Sequence, residues 1–205
     1  DVLVFNQTKV FRARIRVGGD ELFLLKCLDD QPNASMWEVI GSGRLLSRAS
    51  FMLGSLVVNV QTKTDDATWI IEINAARSTV MQFAAEHGEI PVPPYVSQDA
   101  EHPFSDEQYQ TIYAKEEGSV AAPTAGFHFT PRVFDALHDR GVQCEFVTLH
   151  VGIGTFRPVK TETLEAHRMH AEHVSISAET SGRLARAKQE GRRVIAIGTT
   201  AVRAL

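Results

Sequence analysis

The stretch that most constrains this chain runs from Glu145 to Pro158. Glu145 to Val151 is a run of β-branched, aromatic and aliphatic residues with no breaker, which predicts a short buried strand. Gly152 and Gly154 follow one residue apart, then Thr155, Phe156, Arg157 and Pro158. Glycine has no Cβ and tolerates positive φ, so a Gly-x-Gly loop lets backbone N–H groups approach a ligand closely. The third glycine of a dinucleotide-binding loop is missing, and Pro158 blocks a regular helix soon after the turn. His150 sits at the end of the strand, where an α/β sheet usually keeps its chemistry. A strand entering an ordinary glycine turn is the plain alternative.

The residues around this stretch alternate between strand and helix patterns. Ser105-Asp106-Glu107-Gln108 has the form of a capping box and predicts a helix through Tyr109, Ile112 and Tyr113, ended by Gly118. Ser119 to Ala122 reads as a strand leading into Pro123-Thr124-Ala125-Gly126-Phe127-His128. Thr130 and Pro131 open a helix that Gly141 closes. His173 to Ser177 reads as a strand, Ser177 caps a helix to about Glu190, and Arg192 to Ile197 is a strand running into Gly198-Thr199-Thr200. The second half is therefore an α/β domain whose site is expected at the strand ends.

The first half has a different rhythm. Val2 to Phe5 is a short strand, and Asn6 to Lys9 a polar turn. Val10 to Val17 is a second strand in which Arg12, Arg14 and Arg16 share one face at period 2. That stripe reads as a solvated outer face or as a set of phosphate contacts. Glu21–Leu28, Met36–Ile40, Leu56–Gln61 and Thr68–Ile73 read as strands, with turns at Asp29 to Asn33 and Lys63 to Asp66. Their spacing suggests a small antiparallel barrel or sandwich. Ser78 can cap a helix from Thr79 to His87, and Pro91-Val92-Pro93-Pro94 must then run extended.

Composition excludes some functions. With a net charge of −4 over 205 residues, any nucleic acid must be met by a local basic patch. No apolar run reaches the ~18 residues needed to cross a membrane. Cys27 and Cys144 form neither metal spacing nor a disulfide framework, which suggests a reducing, cytosolic setting. Asp1 begins inside a strand pattern and Leu205 follows directly on a loop, which reads as part of a longer protein.

Four polar groups are expected on the same edge: Thr124–His128, His150–Thr155, His167–Glu172 and Thr199–Arg203. A neutral histidine can take a proton near pH 7. Thr199, Thr200 and Arg203 can offer hydroxyl and guanidinium contacts to a carboxylate or phosphate. His167, His170 and Glu172 also admit a metal-dependent hydrolase, although their spacing matches no recognised zinc pattern. A non-catalytic RNA-binding module is a third possibility, one that histidine-rich strand ends do not favour.

Ordered motifs along the chain resemble one family, the S-adenosylmethionine:tRNA ribosyltransferase-isomerases of bacterial queuosine synthesis. They are Asn6-x-Thr8, Pro91-x-Pro93-Pro94-Tyr95, Tyr109-Gln110-Thr111-x-Tyr113-Ala114 and Ala122-Pro123-Thr124-Ala125-Gly126-x-His128-Phe129. They continue with Thr148-Leu149-His150-Val151-Gly152-x-Gly154-Thr155-Phe156, His167-x-Met169-His170-x-Glu172 and Gly198-Thr199-Thr200-x-Val202-Arg203. Lys9 stands where the family usually has Arg and Phe127 where it has Leu, and Val96-Ser97-Gln98 replaces the basic residues expected after Tyr95.

The resemblance implies a mixed α/β fold, an α/β main domain with an inserted small antiparallel β-barrel. Residues 1–16 and 96–205 would form the main domain, 17–74 the barrel, and 75–95 a connecting helix and proline-rich linker. It implies transfer and isomerisation of the ribosyl part of S-adenosylmethionine onto 7-aminomethyl-7-deazaguanine in tRNA, giving epoxyqueuosine, adenine and methionine. S-adenosylmethionine is then a substrate, and no cofactor and no metal are expected. The implied catalytic set is His128, His150, His170 and Glu172, with His128 or His150 transferring protons. Thr124, Gly126, Gly152, Gly154, Thr155, His167, Thr199, Thr200 and Arg203 would bind substrate, and Arg12, Arg14 and Arg16 the tRNA. A cytoplasmic monomer is expected.

Overall fold

The computed structural model describes residues 1–92, 105–152, 163 and 171–205. The architecture is mixed α/β and divides into two compact units, Asp1–Val10 with Pro94–Leu205, and Phe11–Pro93.

The first unit is built on a four-stranded sheet. Val2–Asn6 lies at its centre and pairs in parallel with Gln143–His150 on one side and Val194–Ala196 on the other. His173–Ser175 adds an antiparallel edge strand beside His150. Side chains alternate across a strand, so Val2 and Val4 face one layer and Phe5 the other. Val2, Val4 and Val147 pack with Leu184 and Ala187 of the Ala178–Gln189 helix. Thr180, Leu184 and Ala187, the buried residues of that helix, recur at the spacing of one helical face. On the other side Phe5 meets Phe129, Phe134, Phe146 and Tyr113 at ring separations of 4.8–5.7 Å. Three strands running the same way bring their C-terminal ends to one edge: Asn6, His150 and Ala196. That parallel arrangement positions the site.

The second unit is a seven-stranded antiparallel sheet with Ser50–Leu53 and Gly88–Glu89 at the two ends of its strand order. Register shifts near Leu24–Lys26, Cys27–Asp29 and Val60–Thr62 are the irregularities that bend such a sheet. Trp37, Ile15, Leu22, Leu24, Ile71 and Ile73 form its interior.

Several local expectations are corrected. The predicted strand from Val10 to Val17 is broken: Thr8–Val10 and Arg14–Val17 are separate strands, and Arg12 lies between them. Ala76, not Ser78, precedes the Arg77–His87 helix. The capping-box segment forms only a 3₁₀ turn, Asp106–Tyr109, although Gln108 Oε1 does accept from the Ser105 N–H at 2.9 Å. Gly118 ends no helix; it belongs to the strand Glu116–Ser119, which pairs with Thr8–Val10. The predicted strand Ser119–Ala122 thus lies earlier. The capping box forms, but beyond it the chain turns to the first strand's end, where Lys115 and Glu116 donate their N–H groups to the Gln7 carbonyl at 2.9 and 3.2 Å.

Candidate functional site

The site grows from a buried asparagine. Asn6, fully enclosed, gives its side-chain N–H to the Leu149 carbonyl and accepts the Leu149 N–H, both at 2.9 Å. Its oxygen also takes the Thr8 N–H at 3.2 Å, a local Asx-type turn. One side chain thereby ties the end of the central strand to the residue before His150 and turns the chain so that Thr8 faces His150. The fully buried Thr8 hydroxyl lies 2.8 Å from His150 Nδ1 and 3.5 Å from the Glu116 carbonyl oxygen. The His150 ring also rests against Gly118: a Cβ there would sit 2.8–2.9 Å from Nδ1, Cε1 and Nε2. His173 meets it edge-on, with ring centroids 5.8 Å apart. His150 is half-buried, its Nδ1 turned to the interior.

The beginning of the glycine loop is anchored beside it. Val151 donates its N–H to Ser119 Oγ at 2.7 Å, and Val120 donates to the Val151 carbonyl at 3.0 Å. Gly152 N–H donates to Glu172 Oε1 at 3.1 Å, while Arg203 Nη1 reaches Glu172 Oε2 at 2.6 Å. The Glu172 side chain keeps 6% exposure, so this carboxylate is buried between a cation and a backbone donor. It joins three of the four predicted groups. The remaining one is adjacent: a Cβ on Gly198, whose φ is 85°, would lie 2.9 Å from the Ala125 methyl. Ala204 packs on Ala121, Leu149 and Val151, closing the interior beneath.

Individual residues fall into place unevenly. Thr124 and His128 are exposed on a 3₁₀ turn, Thr124–His128. Gly126 is buried, and a Cβ there would come within 2.0 Å of Tyr113 Oη, so its smallness serves packing. Thr199 opens the Thr199–Ala204 helix and is exposed; Thr200 is half-buried. Gly154, Thr155, His167 and His170 lie outside the described residues, and with them most of the metal reading. Among the described residues no group of three potential metal ligands occurs.

The arginine stripe lies in the second unit, and two of its three members, Arg14 and Arg16, are paired with acids. Arg14 pairs with Glu21 and lies 3.7 Å from Glu89; Arg16 donates to Glu89 at 2.9 Å; Arg12 donates to the Ala85 carbonyl at 3.2 Å. The hydrogen bond from Arg16 holds the Glu89 carboxyl below its usual range, against partial burial.

Comparison with known proteins decides the family. A family model described as queuosine biosynthesis protein matches residues 1–205. The chain belongs to the queuosine biosynthesis protein family. Curated members named S-adenosylmethionine:tRNA ribosyltransferase-isomerase include one from Thermosynechococcus vestitus, 43% identical across all of this chain and 59% of that protein. Another, from Halothermothrix orenii, is 40% identical over all of this chain and 61% of its own length. The chain thus spans about three fifths of the length of these family members. A solved structure of a Thermotoga maritima S-adenosylmethionine tRNA ribosyltransferase is 23% identical, covering all of this chain and 54% of that one, with a TM-score of 0.35.

Sequence reasoning offered His150, Glu172 and Arg203 as site candidates but passed over Thr8, Gly118 and His173, which the structure sets against His150. Asn6-x-Thr8 was visible as a motif; nothing in its spacing said that a residue 142 positions later would receive it.

Proposed function

We propose that the first unit carries the sulfonium-nucleoside chemistry of an S-adenosylmethionine:tRNA ribosyltransferase-isomerase. The ribosyl part of S-adenosylmethionine is transferred and isomerised onto 7-aminomethyl-7-deazaguanine in tRNA, giving epoxyqueuosine with release of adenine and methionine. The observation that carries this reading is the family match over the whole chain, together with a histidine buttressed at its Nδ1 on the edge where parallel strands end.

A sulfonium makes the adjoining ribose 5′ protons acidic, and a positioned imidazole can remove one while the electron pair stays on carbon. His150 is that base in this reading. His128, on the exposed turn, can deliver a proton to the departing adenine, and His170 joins Glu172 as a polar pair for ribose hydroxyls or the incoming amine. Glu172 has one bond on each oxygen, which leaves acceptor capacity for ribose hydroxyls or the incoming amine. Gly152 and Gly154 supply close backbone, Thr124, Thr155 and His167 line the substrate, and Thr199, Thr200 and Arg203 hold the methionine carboxylate. S-adenosylmethionine is consumed as a substrate, so the reaction calls for neither cofactor nor metal. The second unit is the inserted barrel, Arg12, Arg14 and Arg16 contact tRNA phosphates, and the protein acts as a cytoplasmic monomer.

The test is incubation with S-adenosylmethionine and deazaguanine-bearing tRNA, following released adenine. His150→Asn is expected to lower turnover by about 10²–10⁴-fold, the usual worth of a general acid or base, with an unchanged circular dichroism spectrum. Wild-type turnover in that variant removes His150 from the mechanism.

A further inference from the structure

We infer that Thr8 is the positioning residue that sets the protonation pattern of His150, an inference that rests on the function proposed above. The hydroxyl of Thr8 is fully buried, so its single proton must point to one of the acceptors around it. Two are within reach: His150 Nδ1 at 2.8 Å and the Glu116 carbonyl oxygen at 3.5 Å. The choice matters chemically. If the hydroxyl donates to Nδ1, the neutral ring carries its proton on Nε2 and has no lone pair to offer there. If the hydroxyl proton goes to the Glu116 carbonyl, Thr8 Oγ1 accepts from Nδ1–H, and Nε2 is left bare. In the second pattern Nε2 takes a proton with both Thr8 bonds unchanged: Nδ1–H still points to Oγ1, and the hydroxyl still points to the carbonyl. The first pattern has no such path.

The surroundings reinforce this division of the ring. The imidazole can lie where it does because residue 118 is glycine: a Cβ there would press on Nδ1, Cε1 and Nε2 together. The carbonyl that receives the hydroxyl proton comes from Glu116, in the same short strand as Gly118. One strand therefore sets both the ring position and the hydroxyl direction. Asn6 holds the other side of the arrangement, fixing the Thr8 backbone and the peptide before His150. Thr8 itself acts through His150.

Nitrogen-15 NMR of the protein expressed from its complete reading frame reads the pattern directly, with the His150 signals assigned by their loss in His150→Asn. Above the titration of the ring, the wild type is expected to show a protonated Nδ1 and a bare Nε2. Thr8→Val, which keeps the shape but not the hydroxyl, is expected to move the proton towards Nε2. Its kcat should fall by roughly 10–100-fold, by analogy with the loss when the hydrogen-bond partner orienting a metal-bound histidine is removed, with KM unchanged. Thr8→Ser should restore both. A wild-type His150 protonated on Nε2 overturns the inference, with no variant needed, and so does a Thr8→Val enzyme with wild-type kcat. Failure of the wild type to release adenine would instead sink the function proposed above, while the NMR outcome would still decide Thr8.

Discussion

At the scale of single residues, the first unit shows how the absence of a side chain makes room for a neighbouring ring. Gly126 is small because Tyr113 occupies the space a Cβ would need, and Tyr113 in turn stands among Phe5, Phe134 and Phe146. Burial pushes the phenol of Tyr113 up to about 12, while Thr111 beside it pulls the other way. The folded state therefore favours the neutral phenol beyond the ~10 of an unfolded chain. Its contribution to stability is fully present below about pH 10 and is lost as the pH rises through about 12. Absorbance titration should show a late phenol ionisation whose amplitude falls by one tyrosine in Tyr113→Phe. A late amplitude that is unchanged in Tyr113→Phe would show that Tyr113 does not ionise late. The sequence offered Gly126 as a substrate contact; its packing role depends on a ring thirteen positions earlier, which local spacing does not show.

At the scale of elements, the Ala178–Gln189 helix is joined to the Gln143–His150 strand by more than apolar packing. Glu145, almost fully buried, receives two hydrogen bonds from Arg183 at 2.5 and 2.9 Å, one from Thr180 at 3.2 Å and one from Gln143 at 2.7 Å. Burial works against its ionisation, but the Arg183 hydrogen bonds and those of Gln143 and Thr180 outweigh it, and the carboxyl titrates below its usual range. A carboxyl lowered in the folded state stabilises above its unfolded value of about 4.3 and loses that stabilisation as the pH falls through the folded one. Glu145→Gln should cost about 1–3 kcal/mol at neutral pH, the usual range for stranding buried partners. Urea unfolding should show the gap between wild type and variant shrinking towards pH 3; a gap that stays constant would disprove the linkage. The helix itself was legible from Ser177, whose side chain does accept the Thr180 N–H at 3.1 Å, and from Gly191 at its end. The Asp106–Tyr109 turn was over-read as a helix, because a cap signal starts a helix but does not supply the buried face that sustains one.

At the scale of the whole molecule, a net charge of −4 means that the proposed tRNA partner would be held only where local charge overcomes the average. Of the arginines suggested for that task, Arg14 and Arg16 are committed to Glu21 and Glu89, so phosphate contact by them would require exchanging those partners. Arg16, with a side chain 61% exposed, is the one best placed to do so. Arg16→Glu should weaken tRNA binding and reduce the slope of log affinity against log salt by about one unit, whereas an unaltered slope would exclude it as a phosphate contact. No helix among the described residues is long and apolar enough to cross a membrane. The sequence by itself determined much of the strand and helix alternation and the motifs that mark the family, and it pointed to the strand ends as the candidate site, because periodicity, caps and glycine turns act over a few residues. Only the tertiary structure decided that Thr8 meets His150, that Glu172 clamps Gly152 to Arg203, and that acids pair with Arg14 and Arg16. Those are pairings across 142, 20 or 31, and 7 or 73 positions, set by parallel strand register and sheet packing, which local spacing does not encode.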